Sequence, residues 1–457
     1  MQNAPEIVEV QIKNLSLKGY GIGLLPKGKE VEVAHTVPGD QVRIGWKKKR
    51  HAPQKGRLLE ILTPSAKREA FRCAHVGICG GCCWQQMRYD DQLQEKMRRV
   101  QKAFAESGRI DPIIPCASQF GYRNKMEFSF SQNAGGARYL GLMIAQAEPY
   151  VFDVTECHLG PSWFAASLRA VKSWWEKTEL TAYHPIKDTG TLRYLTLREG
   201  IRTHQKMAIL NLSGRSDFTP SKSDLEGFKE AILSVANDVS IFLRIHQTRK
   251  GSPTQFFEMH LCGSDHILEE LHLKDGPLSF KISPSSFFQP NTMQAEKLYD
   301  TALSMLGNVN TVYDLYCGTG TLGMAASRFA KKVIGIEISP EAVLDAKENC
   351  QRNSIKNMEI YQGDVGKILT HIMSGKEFVR PDSVIVDPPR AGLDPLALHH
   401  LKTLLPQKII YISCNPLTQA ENIKELSKVG YQIERIQPID QFPHTYHIEN
   451  IVCLVRI

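Results

Sequence analysis

The chain has 457 residues, which at roughly 100–200 residues per domain predicts two to four domains. With 42% hydrophobic and 23% charged residues, it can bury its own core without staples, and no apolar run reaches the ~18 residues a membrane span needs. The net charge is +8 and uneven: residues 1–72 hold fourteen Lys and Arg against seven Asp and Glu, densest in Trp46-Lys47-Lys48-Lys49-Arg50. That bias points to a polyanionic partner, nucleic acid first, although a solvated basic hairpin explains it equally well.

The opening MQNAPEIVEV lacks a basic stretch followed by an apolar one, so no secretory leader and a cytoplasmic location are expected. Eleven cysteines, odd in number and clustered, argue against a disulfide framework and for metal binding or catalysis.

Residues 1–66 read as all-β. Runs such as Ile7–Ile12, Glu30–Ala34 and Gln41–Trp46 are rich in β-branched residues and separated by Gly and Pro, the pattern of a small barrel that presents a face to nucleic acid. Residues 67–285 hold a cysteine cluster, a helix predicted from Tyr89 to about Ser107, and alternating segments at Lys125–Phe130 and Leu192–Leu197; they read as an α+β middle domain. Residues 286–457 alternate strand and helix: strands at Val312–Leu315, Val333–Ile336, Met358–Tyr361, Ser383–Val386, Lys408–Ile412 and Ile451–Arg456, helices at Leu322–Ala330 and Pro340–Asn353. This is the rhythm of a doubly wound parallel sheet.

In the last third, the segment Asp314-Leu315-Tyr316-Cys317-Gly318-Thr319-Gly320-Thr321 joins a strand to a helix. Gly318 and Gly320 let backbone approach a ligand at the C-terminal edge of the sheet. Glu337 closes the next strand, where an acid can bond the two hydroxyls of a ribose. A dinucleotide or S-adenosylmethionine fits this order; the displaced third glycine and Asp314 favour the second. Asp364, after the third strand, can reach an adenine amino group. Asp387 ends the fourth strand, and Pro388-Pro389 stiffen the loop beyond it; a helix N-cap is the alternative role for this acid.

Cys414 ends the apolar strand Lys408–Ile412 and precedes an Asn-Pro turn. Buried cysteines are usually inert packing, but this one shares its edge with two candidate ligand loops, where a thiolate could attack carbon. Such a nucleophile has a use in methylating carbon 5 of uracil: thiolate addition at carbon 6 makes carbon 5 enolate-like, and a base must then remove the carbon 5 proton. His444, His447 and Glu449 are the candidate bases, and chemistry alone does not choose among them.

Together these residues resemble the RNA 5-methyluridine methyltransferase family, in particular its ribosomal-RNA branch. The resemblance is carried by Phe287-Phe288-Gln289-Pro290-Asn291, the Asp-Leu-Tyr-Cys-Gly-Thr-Gly turn, Asp387-Pro388-Pro389-Arg390-Ala391-Gly392, Ser413-Cys414-Asn415-Pro416, and Phe442-Pro443-His444-Thr445 with Glu449. It implies Cys414 as nucleophile and Glu449 as the proton-removing base. It also implies that Gln289, Tyr316, Gly318, Gly320, Thr321, Glu337, Asp364 and Asp387 line the site of S-adenosylmethionine or the target base. Tyr316 and Thr321 depart from one familiar form of the pattern, where Phe and Asn stand. The implied fold is multidomain α/β: an OB-like barrel of the TRAM type that binds RNA (1–66), a central α+β domain (67–285) and a Rossmann-like methyltransferase domain (286–457). The barrel favours ribosomal RNA, 23S in particular, over transfer RNA as the partner.

Cys73, Cys79 and Cys82 are spaced so that their thiolates can share one soft metal centre, with Gly80 and Gly81 letting the loop fold around it. Cys157 is the fourth ligand that the resemblance supplies, and a [4Fe-4S] cluster is the group it implies; structural zinc on four thiolates is the alternative. Such a centre is expected to organise the fold or help grip RNA. Two rival readings are an amino-group methyltransferase that ignores Cys414 and a non-catalytic RNA-binding assembly factor. A monomer is expected.

Overall fold

Strands β1 (Glu6–Leu15), β2 (Gly21–Leu24), β3 (Glu30–Val33), β4 (Gln41–Trp46) and β5 (Gln54–Thr63) close into a barrel in the order β1-β2-β3-β5-β4. The computed structural model describes residues 6–47, 54–105, 109–147, 149–247, 254–376 and 378–457; Lys48, Lys49 and Arg50 of the basic run lie outside them. Alternate residues of the strands (Val10, Ile12, Val31, Val33, Val42, Ile44) point inward and are buried, as the period of two requires. The interior is tight: a Cβ at Gly56 would meet Ile44 Cδ1 at 2.7 Å. Buried Asp40 accepts from Arg68 Nε and Nη2 at 2.8 and 2.7 Å, which ties the barrel to the segment after it.

Helix α1 (Tyr89–Ala103) follows the cysteine-rich segment. It ends earlier than the sequence pattern predicts, and residues 106–108 are outside those described. Next comes a seven-stranded sheet built from β6 (Lys125–Gln132), β7 (Arg138–Met143), β8 (Val151–Asp153), β9 (Leu192–Glu199), β10 (Lys206–Ser213), β11 (Val239–Gln247) and β12 (Gln255–Cys262), ordered β12-β11-β10-β9-β6-β7-β8. Helices α2 (Ser162–Trp175) and α3 (Lys222–Leu233) cover one face. Strand β10 shows how both faces are filled. Ala208, Leu210 and Leu212 join the core under α2 and α3, while Met207 and Ile209 join the core of the C-terminal region.

The hairpin β13 (Ile267–Leu273) and β14 (Gly276–Ile282) packs with that C-terminal region. There, α4 (Thr292–Leu306), β15 (Val309–Leu315), α5 (Thr321–Ala326), β16 (Ala330–Glu337), α6 (Pro340–Arg352), β17 (Met358–Gln362), α7 (Val365–Ser374), β18 (Ser383–Val386), α8 (Pro395–Leu404), β19 (Lys408–Ser413), α9 (Pro416–Ser427), β20 (Tyr431–Ile439) and β21 (Glu449–Arg456) follow one another. Side chains of α6 cap the edge of β14: Asn353 and Asn349 oxygens accept from Ser279 N at 2.8 Å and Lys281 N at 2.6 Å. An exposed ladder edge is thereby covered.

The second seven-stranded sheet runs β17-β16-β15-β18-β19-β21-β20. Strands β15 to β19 are parallel, as the alternating pattern predicts. Two points differ from that pattern. β21 is antiparallel to β19 and to β20, because no helix separates β20 from β21 to carry the chain back across the sheet. Helix α5 is one short segment, since the chain must turn at Ser327–Phe329 to start β16 at Ala330. Strand β20, which the sequence reading did not single out, forms the far edge. Strand order reverses between β15 and β18, the place where open α/β sheets bind ligands.

Candidate active site

The register of the parallel strands aligns their C-terminal ends. Leu315 lies beside Ile336 and Val386, and Val386 beside Tyr411. The loops that follow, which begin at Tyr316, Asp387 and Cys414, therefore open on one edge. The antiparallel β21 starts at that edge, with Ser413 opposite Asn450. Cys414 and Glu449 adjoin this last pair, and the Glu449 charge acts on the Cys414 thiol.

On one side of the edge lies the glycine turn. Gly318 and Gly320 have φ of +55° and +79°, a left-handed conformation that glycine adopts without strain. A Cβ on Gly318 would meet nothing within 4 Å, whereas one on Gly320 would strike Met324 Cε at 2.7 Å. Gly318 therefore leaves space open in front of the loop, while Gly320 serves packing within α5. Glu337 braces the turn: Oε2 accepts from Gly318 N at 3.0 Å and Oε1 from Ser339 N at 2.8 Å. Asp364 caps α7 by accepting from Lys367 N at 3.1 Å. Thr321 Oγ1 lies 3.4 Å from the Tyr299 hydroxyl. Tyr316 turns inward, and its hydroxyl donates to Asp394 Oδ2 at 2.8 Å. Asp394 also caps α8, accepting from Leu396 N and Ala397 N, so the capping role considered for Asp387 belongs to Asp394.

Gln289 is buried, and its backbone carbonyl accepts from Asn124 Nδ2 at 2.8 Å. Two residues on, Asn291 caps α4 and donates through Nδ2 to Gln441 O at 2.9 Å. The Phe-Phe-Gln-Pro-Asn segment is thus clamped between the middle sheet and the loop that leads to Glu449.

The electrostatics of the edge are those of acids taken out of water. Burial raises the carboxyl of Asp387 to about 7. Burial, with Asp387 and Glu337 nearby, raises Asp314 to about 8, and a backbone hydrogen bond from Gly323 holds it down. Gly323 exists to admit this acid, since a Cβ there would lie 2.6 Å from Asp314 Oδ2. Glu449 is pushed well above the usual carboxyl range by burial and by Asp387, with Arg390 opposing. Burial and the Glu449 charge raise the Cys414 thiol to about 11, and the Arg390 guanidinium pulls it down. Arg390 is the functional residue that sequence reasoning passed over inside its Asp-Pro-Pro-Arg motif. Its carbonyl accepts from Asn415 Nδ2 at 3.1 Å and its Nη2 lies 3.3 Å from His447 Nδ1.

The three candidate bases separate by environment. Burial and then Arg390 lower His447 to about 3. His444 is lowered to about 4, chiefly by burial; its N–H donates to Gln92 Oε1 at 2.8 Å, and its ring sits 4.5 Å from that of Phe120. Glu449 is the one whose charge acts on the Cys414 thiol. The loop before it is fixed from α1: the side chains of Lys96 and Asp440, both fully buried, form an ion pair, and Lys96 Nζ also donates to Phe442 O at 2.9 Å.

Cys73, Cys79, Cys82 and Cys157 come together from two distant stretches of sequence. Burial raises all four thiols, and each feels the charge of at least one of the others. Backbone N–H groups of His75 and Gly81 point at the sulfurs of Cys73 and Cys79, at 3.4 and 3.3 Å. Among the described residues, no three His, Cys, Asp or Glu side chains stand at the spacing that holds a metal ion. Cys83 is turned away, buried beside Trp84 and Met87. No described helix is long and apolar enough to cross a membrane.

Three comparisons bear on this edge. A family model described as tRNA (uracil-5-)-methyltransferase matches residues 257–457. The chain is 47% identical over 441 residues to an RNA methyltransferase of Protochlamydia amoebophila, covering 93% of this chain and 99% of that one. It is 35% identical over 461 residues to an RNA methyltransferase of Caldanaerobacter subterraneus, covering 99% of each. Among solved structures, it is similar to the Pyrococcus abyssi tRNA (uracil-54, C5)-methyltransferase in complex with S-adenosyl-L-homocysteine. That match has a TM-score of 0.74 at 25% identity and covers 98% of this chain and 100% of the other.

Proposed function

Because the chain belongs to the tRNA (uracil-5-)-methyltransferase family of RNA methyltransferases, we propose that it methylates carbon 5 of a uridine through a covalent adduct on Cys414. S-adenosylmethionine, when bound, supplies an electrophilic methyl group on a sulfonium. Open space before Gly318 and the acids Asp314, Glu337, Asp364 and Asp387 suit this cationic nucleoside. Gln289, Tyr316, Gly320 and Thr321 complete the proposed lining, Tyr316 through its ring because its hydroxyl is engaged with Asp394.

The observation that carries the reading is that Cys414 and Glu449 adjoin the last Ser413–Asn450 pair of β19 and β21 and the Glu449 charge acts on the Cys414 thiol. The Cys414 thiolate, stabilised by Arg390, adds to carbon 6 of uracil, and the electron pair of the 5,6 double bond moves to carbon 5 and into the ring carbonyl. Carbon 5 takes the methyl group. Glu449 as carboxylate removes the carbon 5 proton, the double bond reforms and the thiolate leaves. The uridine must be turned out of any stack to reach this edge. An amino-group methyltransferase or a non-catalytic RNA-binding factor gives no work to the Cys414–Glu449 pair.

The thiols of Cys73, Cys79, Cys82 and Cys157 fit a [4Fe-4S] cluster. The donor set, four thiols that feel one another's charge, suits either such a cluster or structural zinc, and the family resemblance favours the cluster. Its part is structural, holding residues 73–82 against the strand that ends near Cys157. We divide the labour as RNA grip in 1–66, support in 67–285 and chemistry in 286–457, in a cytoplasmic monomer.

Large-subunit ribosomal RNA remains our first substrate. A specific observation supports transfer RNA as the second: the Pyrococcus abyssi tRNA enzyme aligns with 98% of this chain, so the barrel does not by itself separate the two. The deciding experiment supplies labelled S-adenosylmethionine and unmodified ribosomal and transfer RNA transcripts to anaerobically purified protein. We expect 5-methyluridine that vanishes with Cys414→Ala. Label on a purine, or unchanged activity of the variant, overturns the mechanism.

A further inference from the structure

Helix α1 carries a polar stripe where a packed helix ordinarily turns apolar residues inward. Tyr89, Gln92, Lys96 and Arg99 recur at the spacing of one helical face, and all four reach the loop that leads to Glu449. The Tyr89 hydroxyl donates to Asp440 Oδ2 at 2.7 Å, Lys96 Nζ to Phe442 O at 2.9 Å and Arg99 Nη1 to Tyr446 O at 3.2 Å. Gln92 is fully buried and meets His444 twice. Its Oε1 accepts from His444 N at 2.8 Å, and its Nε2 lies 3.3 Å from His444 Nδ1. The same Nε2 donates to Trp84 O at 3.1 Å and Met87 O at 2.8 Å, which fixes the orientation of the amide and ties it to the segment that carries the cysteines.

His444 is the residue of this loop that most needs a clamp. Its φ is +64°, a left-handed conformation that a residue with a Cβ keeps only where its surroundings enforce it. Trp84 N donates to its carbonyl at 3.0 Å, so with Gln92 on its N–H both of its main-chain polar groups are held from outside the loop. Burial keeps the imidazole neutral, lowered to about 4, which leaves Nδ1 able to accept from the Gln92 amide. The chain then turns, with His447 N donating to Thr445 Oγ1 at 3.2 Å, and enters β21 at Glu449. Pairing with Ile439 fixes the backbone of Glu449 from the strand side. The other side of that residue is the turn that starts at His444.

We propose that Gln92 is a positioning residue for proton removal: by holding His444 in its left-handed turn, it sets where the Glu449 carboxyl meets carbon 5. The inference rests on the covalent mechanism proposed above. In that mechanism the Glu449 carboxylate takes the carbon 5 proton, the electron pair of the broken C–H bond reforms the 5,6 double bond, and the Cys414 thiolate leaves with the electrons of the C–S bond. Methyl transfer precedes this step and does not use the carboxylate. A displaced Glu449 therefore slows the last step more than the first.

The test is a single turnover of the full-length protein on an RNA transcript that it methylates, tritiated at carbon 5 of its uridines, with a differently labelled methyl group on S-adenosylmethionine. Label in RNA reads methyl transfer, and tritium in water reads proton removal. In Gln92→Leu, which removes both contacts to His444, tritium release should fall about tenfold further than methyl transfer, the size of loss a small misplacement of a catalytic group produces. An RNA-linked band that survives denaturing electrophoresis should accumulate with it. Gln92→Glu keeps an acceptor for His444 N and should fall between Gln92→Leu and the wild type; it carries the test by itself if Gln92→Leu does not fold. Methyl transfer and tritium release that decline in parallel mark a merely structural role, and wild-type rates in a folded variant mark none; either overturns the assignment while the methylation mechanism stands. If the wild type forms neither 5-methyluridine nor a covalent adduct, the proposed function fails instead.

Discussion

Cys414, the first residue beyond β19, and Glu449, the first residue of β21, lie next to the last paired residues of those antiparallel strands, Ser413 and Asn450, and the Glu449 charge reaches the Cys414 thiol. Each disfavours the charge of the other: Glu449 helps raise the Cys414 thiol to about 11. The pair therefore works best holding one negative charge between them. In the proposed mechanism, a thiolate attacks while the carboxyl is neutral, and a carboxylate takes the carbon 5 proton once the sulfur is bound to carbon. Arg390 sits beside both and favours either charged form.

This division of labour predicts a trap. Glu449→Gln should still form the Cys414–RNA bond and transfer the methyl group, but release product about 10²–10⁴-fold more slowly. An RNA-linked band that survives denaturing electrophoresis should accumulate. It should be absent when Cys414→Ala is added to Glu449→Gln. A single-turnover experiment with labelled RNA reads both outcomes.

The buried acids predict a dependence on pH. Folded Asp387 and Asp314 keep their protons to about 7 and about 8, while unfolded carboxyls release theirs near ~3.9. Between those values the folded state binds more protons, so stability falls as pH rises through roughly 4 to 8. Asp387→Asn and Asp314→Asn should flatten the fall in melting temperature of the ligand-free protein. The same ionisation favours a cation, so affinity for S-adenosylmethionine should rise between pH 6 and 8. The uncharged sulfur of S-adenosylhomocysteine should show less of this rise in titration calorimetry.

Lys96 and Asp440 form an ion pair with neither side chain exposed. Asp440→Asn should cost about 3–5 kcal/mol, because it strands a buried ammonium. Lys96→Met with Asp440→Asn should restore part of that loss. Since Lys96 also holds Phe442 O, the double variant should lose kcat through a loosened Glu449 loop with little change in the KM for S-adenosylmethionine. Chemical denaturation and steady-state kinetics separate the two effects.

Gly318→Ala adds a methyl group that touches nothing in the protein yet sits at positive φ. The backbone penalty is about 1–2 kcal/mol. A weaker affinity for S-adenosylmethionine beyond what that instability explains would mark the open space before Gly318 as the nucleoside site. Unchanged binding, measured by calorimetry on folded protein, would move the ligand elsewhere.

The parallel strands β15 to β19, the glycine turn and the apolar strand ending at Cys414 were legible in the sequence, because local periodicity and turn chemistry specify them within a few residues. The placement of the acids Glu337, Asp364 and Asp387 at one edge was legible for the same reason: each closes or closely follows the C-terminal end of a parallel strand. What only the tertiary structure decided depends on register and burial. Glu449 was the base that the family resemblance implied, and the structure adds that its charge acts on the Cys414 thiol; the topology of the middle sheet was not derivable because its strands pair across long separations. The roles of Arg390 as a neighbour of the thiol, of Asp394 rather than Asp387 as a cap, and of Lys96 beneath the last loop arise from contacts between residues up to 346 positions apart. No local pattern records such contacts, since their energies come from burial and charge that exist only once the chain has packed.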